Sequence, residues 1–252
     1  MIMDNFITKT VWTNEASTKD IEDFRYVVNT VFGPFCTEEY FRVKYIDNIY
    51  GPSLLIIVYV DDKPVGANSL WRNDINGERA YYSAETSVIK GDNTAFVFVI
   101  MLKKLLEFCK QENVLLYTFP NSNSFPGFKK MRWHVKMYYK KWFLPGISSR
   151  KNLYSVEPQY AQWWMKFRKG IFRMKILGHY YLIKVKKEGV ACVLGYADKQ
   201  TALLFPKYEK MIWFFYRESE TPSFYSKRLG AIPMVYTHAE EVRIPFMKRD
   251  AL

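Results

Sequence analysis

The residues best suited to chemistry meet at one strand–loop–helix junction, Ser87 to Ala95 (SVIKGDNTA). Backbone N–H groups in such a loop, with the unpaired N–H groups of the helix that follows, form a site for an anion such as a phosphate. Gly91 is the only glycine there, and an ordinary surface loop looks the same. Asn121, Ser122, Asn123 and Ser124 form a second polar cluster, placed to cap a helix that starts near Pro126. Phe128 to Trp142 interleaves cations with rings, a pattern that can hold phosphates while stacking on bases. Its alternation from Trp133 to Tyr139 equally fits an edge strand with a solvated basic face. Trp163-Trp164, with Phe167 and Arg168, can stack on a sugar ring or pack in a core. His134, His179 and His238 have no carboxylate or cysteine at catalytic spacing. Cys36, Cys109 and Cys192 lie far apart without a CxxC pair, so neither a zinc site nor a disulfide framework is expected, and no metal is assigned.

Secondary structure must position these groups. Ser17-Thr18-Lys19-Asp20 precedes Ile21, Phe24, Val27, Val28 and Val31 at helical spacing, which predicts a capped amphipathic helix ending near Gly33-Pro34. A short helix follows from Thr37 to Tyr45. The runs LLIIVYV and VGANSLW flank the turn Asp61-Asp62-Lys63 and read as a hairpin; a third strand starts at Arg79. Ala95 to Lys110 reads as a long helix, Asn113 to Pro120 as a buried strand, and Phe128 begins a helical turn. Trp142 to Leu153, rich in Pro, Gly, Ser and basic residues, is the linker candidate. Beyond it a helix is expected at Tyr160–Phe167 and strands at Tyr180–Val185, Val190–Tyr196 and Met211–Tyr216. Phe224 to Leu229 looks helical and Met234–Tyr236 extended. This second half repeats the first in abbreviated form.

Composition bounds the partners. The 252 residues carry 37 Lys and Arg against 25 Asp and Glu, a net charge of +12. That excess suits an anionic partner: a phosphorylated cofactor, a nucleotide-linked substrate, nucleic acid or a membrane surface. Aromatics reach 18%, enough to fill a core and still line a pocket. The polar start is not a signal peptide, and no apolar run, Leu54 to Val60 included, comes near the roughly 18 residues of a membrane span. A reducing, cytoplasmic setting is the expectation.

The order of elements, with VIKGDNTAFVFVIMLKKLLEFCKQENV followed by LLYTFPNSNSFPGFKKMRW, resembles the GCN5-related N-acetyltransferase (GNAT) superfamily. YIDNIYGPSL, PVGANSLWRNDING, the strand end Glu85-Thr86 and Phe119-Pro120-Asn121 look closest to a branch found among bacterial glycan and capsule gene products. The resemblance runs roughly from Ile21 to Trp133. It implies an α/β fold with the mixed GNAT sheet, a GNAT N-acyltransferase domain over 1–141 and a smaller, reduced GNAT-like lobe over 153–252.

The resemblance also implies roles. Ser87, Val88 and Ile89 would lend backbone groups to a pantetheine arm, with the Val88 N–H polarising a thioester carbonyl. Asn93, Thr94, Ala95 and Phe96 occupy the place of a pyrophosphate-gripping Arg-Gly-x-Gly loop, without its arginine or glycines. Glu85 would be the base that deprotonates an amine, or else a solvent-facing charge on an alternating strand. Asn121 and Ser124 would meet the pantetheine or acceptor. Phe128 stands where the family has a proton-donating tyrosine, and Tyr138 or Tyr139 could substitute. The implied activity is acyl transfer from acetyl-CoA, or another acyl-CoA, to a small-molecule or glycan-precursor amine such as an amino sugar. Two further readings stay open: a Fem-type aminoacyl transferase using charged tRNA, the one case with a nucleic-acid partner, and a non-catalytic binding module.

Overall fold

Ser17 starts the first helix as its sequence dictates. Its hydroxyl accepts the Asp20 N–H (3.2 Å), and the Asp20 carboxylate accepts the Ser17 N–H (3.1 Å), a reciprocal cap. The computed structural model describes residues 6–143, 153–221, 231–237, 244 and 248. Contacts divide the chain into two units, Met1–Val135 with Val235–Val242, and Lys136–Met234 with Arg243–Leu252.

In the first unit β1 (Phe6–Trp12), β2 (Leu54–Val60), β3 (Lys63–Arg72) and β4 (Ala80–Val88) form an antiparallel meander. β5 (Leu115–Thr118) returns parallel to β4 after the long helix α3 (Thr94–Glu112). Val235 and Tyr236, ending β11 (Ala231–Tyr236), pair antiparallel with β5. Helix α1 (Thr18–Phe32) and the short α2 (Glu38–Phe41), which runs into a π-helical turn at Arg42–Ile46, complete the unit together with α4 (Phe125–Lys130).

The β2 run is apolar throughout because both faces are covered. Leu54, Ile56 and Val58 join Leu70 and Tyr81 against Val97, Met101, Leu102 and Leu105 of α3. Toward α1, the buried Phe24 meets the rings of Phe41 (5.9 Å) and Tyr45 (6.0 Å). Gly66 permits the close approach of α3: a Cβ there would lie 2.6 Å from Val97 Cγ1.

Two irregularities in β4 shape the site. Ala67 pairs with Ser87 but Ser69 pairs with Ala84, so Asn68 faces both Glu85 and Thr86. This is a β-bulge, and Glu85 sits in it at φ 47°, in the left-handed region. Pairing of β4 with β5 ends after Tyr82 and Tyr117, while β4 runs on to Val88. β5 itself ends at Thr118, so the rest of β4 runs on without a β5 partner.

In the second unit β7 (Ile171–Ile176), β8 (His179–Lys187) and β9 (Val190–Ala197) are antiparallel, and β10 (Phe214–Ser219) runs parallel to β9. β6 (His134–Phe143) pairs antiparallel with β10 and lies between it and β11, so it is not the edge strand its alternation suggests. α5 (Pro158–Phe167) precedes β7, and α6 (Lys199–Leu203) connects β9 to β10. The order helix, three antiparallel strands, helix, parallel strand is that of α1, β2, β3, β4, α3 and β5. Trp163 and Trp164 are buried, so they pack inside the unit.

The helix expected at Tyr160–Phe167 starts at Pro158, and the strand expected from Met211 starts at Phe214. β1, β7 and α6 are elements that sequence reading left out. Most of the linker candidate, Trp142 to Leu153, and all of Phe224 to Leu229 lie outside the described residues. Among the described residues no helix is long and apolar enough to cross a membrane.

Candidate functional site

The bulge in β4 turns the Glu85 side chain into the first unit, where its carboxylate is 4% exposed. Four donors converge on it. The Lys44 ammonium, itself fully buried, bonds Oε1, and the Tyr45 hydroxyl bonds Oε2. Ser69 Oγ donates to Oε2 at 2.9 Å and the Tyr40 hydroxyl to Oε1 at 3.3 Å. Glu85 is thus no solvent-facing charge.

Local structure explains the convergence. Tyr40 and Lys44 are four residues apart on one helical face, and Lys44 Nζ also donates to the Tyr40 hydroxyl at 3.2 Å. The ammonium lies 4.9 Å from the ring centroid of Trp71, 5.1 Å from that of Tyr45 and 5.4 Å from that of Tyr40. Ring faces and a carboxylate replace the water this cation has lost. Tyr40 is only half-buried and gives the cluster its route outward.

The electrostatics follow from this packing. Burial pushes the Glu85 carboxyl up, but the Lys44 charge and the hydrogen bonds from Lys44, Tyr45 and Ser69 outweigh it, leaving Glu85 below the usual carboxylate range. Burial, and next the Glu85 charge, push the Tyr45 phenol well above its ordinary value. The same two causes push the Cys36 thiol up to about 12, so this buried cysteine stays protonated.

Beyond the bulge, Ser87 is buried with Oγ 3.1 Å from the Glu85 carbonyl oxygen. The Ile89 N–H donates to the Val65 carbonyl (2.8 Å) on β3. Successive N–H groups of a strand point to opposite edges. The Val88 N–H therefore faces the edge that β5 has left. Thr118 Oγ1, at the end of β5, donates to the Ser83 carbonyl (2.9 Å). Beside it Asn68, fully buried, donates to Ser83 Oγ (3.0 Å) and to Thr86 Oγ1, while its Oδ1 has no hydrogen-bond partner. A buried acceptor without a donor is uncommon and suits a ligand that brings an N–H or O–H.

At the start of α3, Thr94 Oγ1 accepts the Gly91 N–H (2.9 Å) and donates to the Gly91 carbonyl (2.7 Å). The Val97 N–H donates to the Asn93 carbonyl (2.9 Å). The N–H groups of Ala95 and Phe96 remain at the helix tip, where helix geometry supplies no partner. The Phe96 ring stands edge-on to Phe6 at 4.8 Å, directed toward β1.

The other expected residues are held by local contacts of their own. Asn121 Oδ1 accepts the N–H groups of Asn123 and Ser124, both at 3.0 Å, so it closes its own loop. Ser124 Oγ also bonds that oxygen, at 3.2 Å. Phe128 is buried between Phe98 (6.2 Å) and Trp133 (4.9 Å). Tyr138 belongs to the second unit, where its hydroxyl donates to the Ile244 carbonyl at 3.1 Å. Sequence reading missed Tyr40, Lys44, Tyr45, Ser69 and Asn68. Tyr45, Asn68 and Ser69 fall in the segments that carry the family resemblance, while Tyr40 and Lys44 lie outside them.

Solved structures of three proteins share this architecture. A GCN5-related N-acetyltransferase from Kribbella flavida aligns at a TM-score of 0.56 and 11% identity, over 93% of this chain and 71% of that one. A conserved protein of unknown function from Enterococcus faecalis V583 aligns at 0.53 and 10%, over 96% and 73%. A GCN5-related N-acetyltransferase from Anabaena variabilis ATCC 29413 aligns at 0.51 and 10%, over 90% and 72%. No family model and no curated protein matches the sequence. The chain has the GNAT acyl-CoA N-acyltransferase fold, a mixed α/β architecture.

Proposed function

We propose that this chain transfers an acyl group from an acyl-CoA, acetyl-CoA in the first instance, to a primary amine. The observation that carries the reading is that β4 runs on past the end of β5, directly beside a bulge that holds a buried carboxylate. Three features support an acyl-CoA fit. The Val88 N–H faces the opened edge, as an oxyanion donor must. Asn68 Oδ1 can take a donor from the pantetheine amides. The Ala95 and Phe96 N–H groups at the tip of α3, with Lys90 nearby in sequence, suit a diphosphate. Phe96 replaces a glycine here, yet its ring is directed toward Phe6 rather than across the tip.

Glu85 is the base in this reading, acting through Tyr40. As the amine nitrogen attacks the thioester carbonyl, the Tyr40 oxygen takes the amine proton and passes its own to Glu85 Oε1. The C–N bond forms, the C–S bond breaks, and the thiolate draws a proton from solvent. Tyr138 has no part in these steps, because its hydroxyl already donates to Ile244. Amino sugars head the acceptor panel on the sequence resemblance alone.

Thiol release from acetyl-CoA, followed with a chromogenic disulfide across a panel of primary amines, tests the reading. Glu85→Gln and Tyr40→Phe should each lose on the order of 10²–10⁴ in kcat, the usual scale for a positioned base. Thermal melts with acetyl-CoA should rise with ligand concentration. No shift at millimolar ligand, together with no thiol release, would leave a GNAT-fold binding module instead.

A further inference from the structure

The positive charge of the chain is not shared between its units. The second unit carries 22 Lys and Arg against 7 Asp and Glu, a net +15. The first carries 15 against 18, a net −3. The anionic partner implied by composition therefore has its electrostatic footprint on the unit without the transferase site.

That unit also holds a groove of about 1300 Å³, above the ~300–1,000 Å³ usual for small-molecule sites. Trp142, Trp213 and Phe214 line it, with Lys140, Lys186 and Lys187. Trp213 and Phe214 are 66% and 61% exposed, an uncommon condition for large rings on a surface with no partner. They are held in place nonetheless. Their N–H groups donate to the Gly189 carbonyl at 2.9 Å and 3.0 Å. Gly189 has φ +71°, and a Cβ there would lie 2.4 Å from Trp213 Cδ1, so the β8–β9 turn seats that ring. Trp142 stands edge-on to Phe214 at 5.7 Å. Lys186 and Lys187 end β8 beside that turn, both exposed, and Glu188 is the single acidic residue of the lining.

We propose that this groove binds a single strand of nucleic acid, its bases stacked on Trp213, Phe214 and Trp142 and its phosphates against Lys140, Lys186 and Lys187. Flat rings set among cations match a chain of flat bases joined by anions, and the volume calls for several linked units rather than one free nucleotide. The site is independent of the transferase reading.

The test is fluorescence anisotropy of a labelled 12-nucleotide oligouridine with the full chain. Binding should weaken with salt, at a log–log slope near −0.7 for each phosphate contact. Phe214→Ala and Trp213→Ala should each weaken it roughly tenfold, and Lys186→Glu with Lys187→Glu should flatten the salt slope. Acetyl-CoA melts, with their readout in the first unit, should not change in any of these variants. Trp213 is seated by the turn, so Phe214→Ala decides the matter if Trp213→Ala fails to fold. Unchanged affinity in Phe214→Ala would overturn the proposal. So would heparin or anionic phosphatidylglycerol vesicles binding as tightly as the oligouridine without regard to the rings.

Discussion

At the residue scale, Lys44 and Glu85 are the most consequential pair. A buried ion pair is a weak source of net stability, but removing one partner strands the other charge. Lys44→Met should therefore lower stability by about 3–5 kcal/mol in a urea titration, well beyond an ordinary surface substitution. Glu85 is held below its ordinary carboxylate value. Its contribution is full above the unfolded carboxylate value and is lost as pH falls through the folded one. The difference in urea midpoint between the parent chain and Glu85→Gln should accordingly be largest near pH 7 and shrink below about pH 4. A difference that grows on acidification would mean that Glu85 folds protonated. Glu85 entered through the family resemblance, beside the alternative of a solvent-facing charge. Its partners were not legible, since Tyr40, Lys44, Tyr45 and Ser69 come from distant turns and strands that only the folded sheet brings together. Nor did anything local announce the bulge, which uses a glutamate at positive φ where glycine is the usual signal.

At the element scale, long periodic segments were readable and short ones were not. α1, α3 and the hairpin of β2 and β3 declared themselves through caps, helical spacing and an unbroken apolar run. β1 (FITKTVW) pairs along its length with β2, but its residues are mostly half-exposed and its polar alternation is weak. β7 and α6 are six and five residues long, too short for a period to emerge. The cap of α1 gives the cleanest check on local reasoning. Ser17→Ala removes the acceptor for the Asp20 N–H and should cost about 1 kcal/mol, read as a lower melting temperature with the fold retained. A larger loss would implicate Asp20, whose carboxylate also binds Lys9 of β1 and so joins the first strand to the first helix.

At the scale of the whole molecule, composition gives the sign of the net charge and no location. An excess of +12 invited a phosphorylated co-substrate, yet the unit that holds Glu85 is slightly acidic and the other strongly basic. Oligonucleotide binding and acetyl-CoA binding should accordingly respond to different variants, each assay blind to the other unit's substitutions. The limits of the units were equally hidden. Val235–Val242 belongs with the first unit although it lies more than ninety residues beyond Val135. Pairing across such a distance leaves no periodic mark in either strand.

That return sets an order of events at the ribosome. β5 has emerged by Thr118, but its second partner, Val235 and Tyr236, is synthesised 117 residues later. At roughly 5–20 residues per second, β5 waits on the order of ten seconds for this neighbour. A nascent chain paused before Val235 should thus present an apolar strand paired with β4 on one edge and bare on the other, and chaperone capture or aggregation should peak at that length.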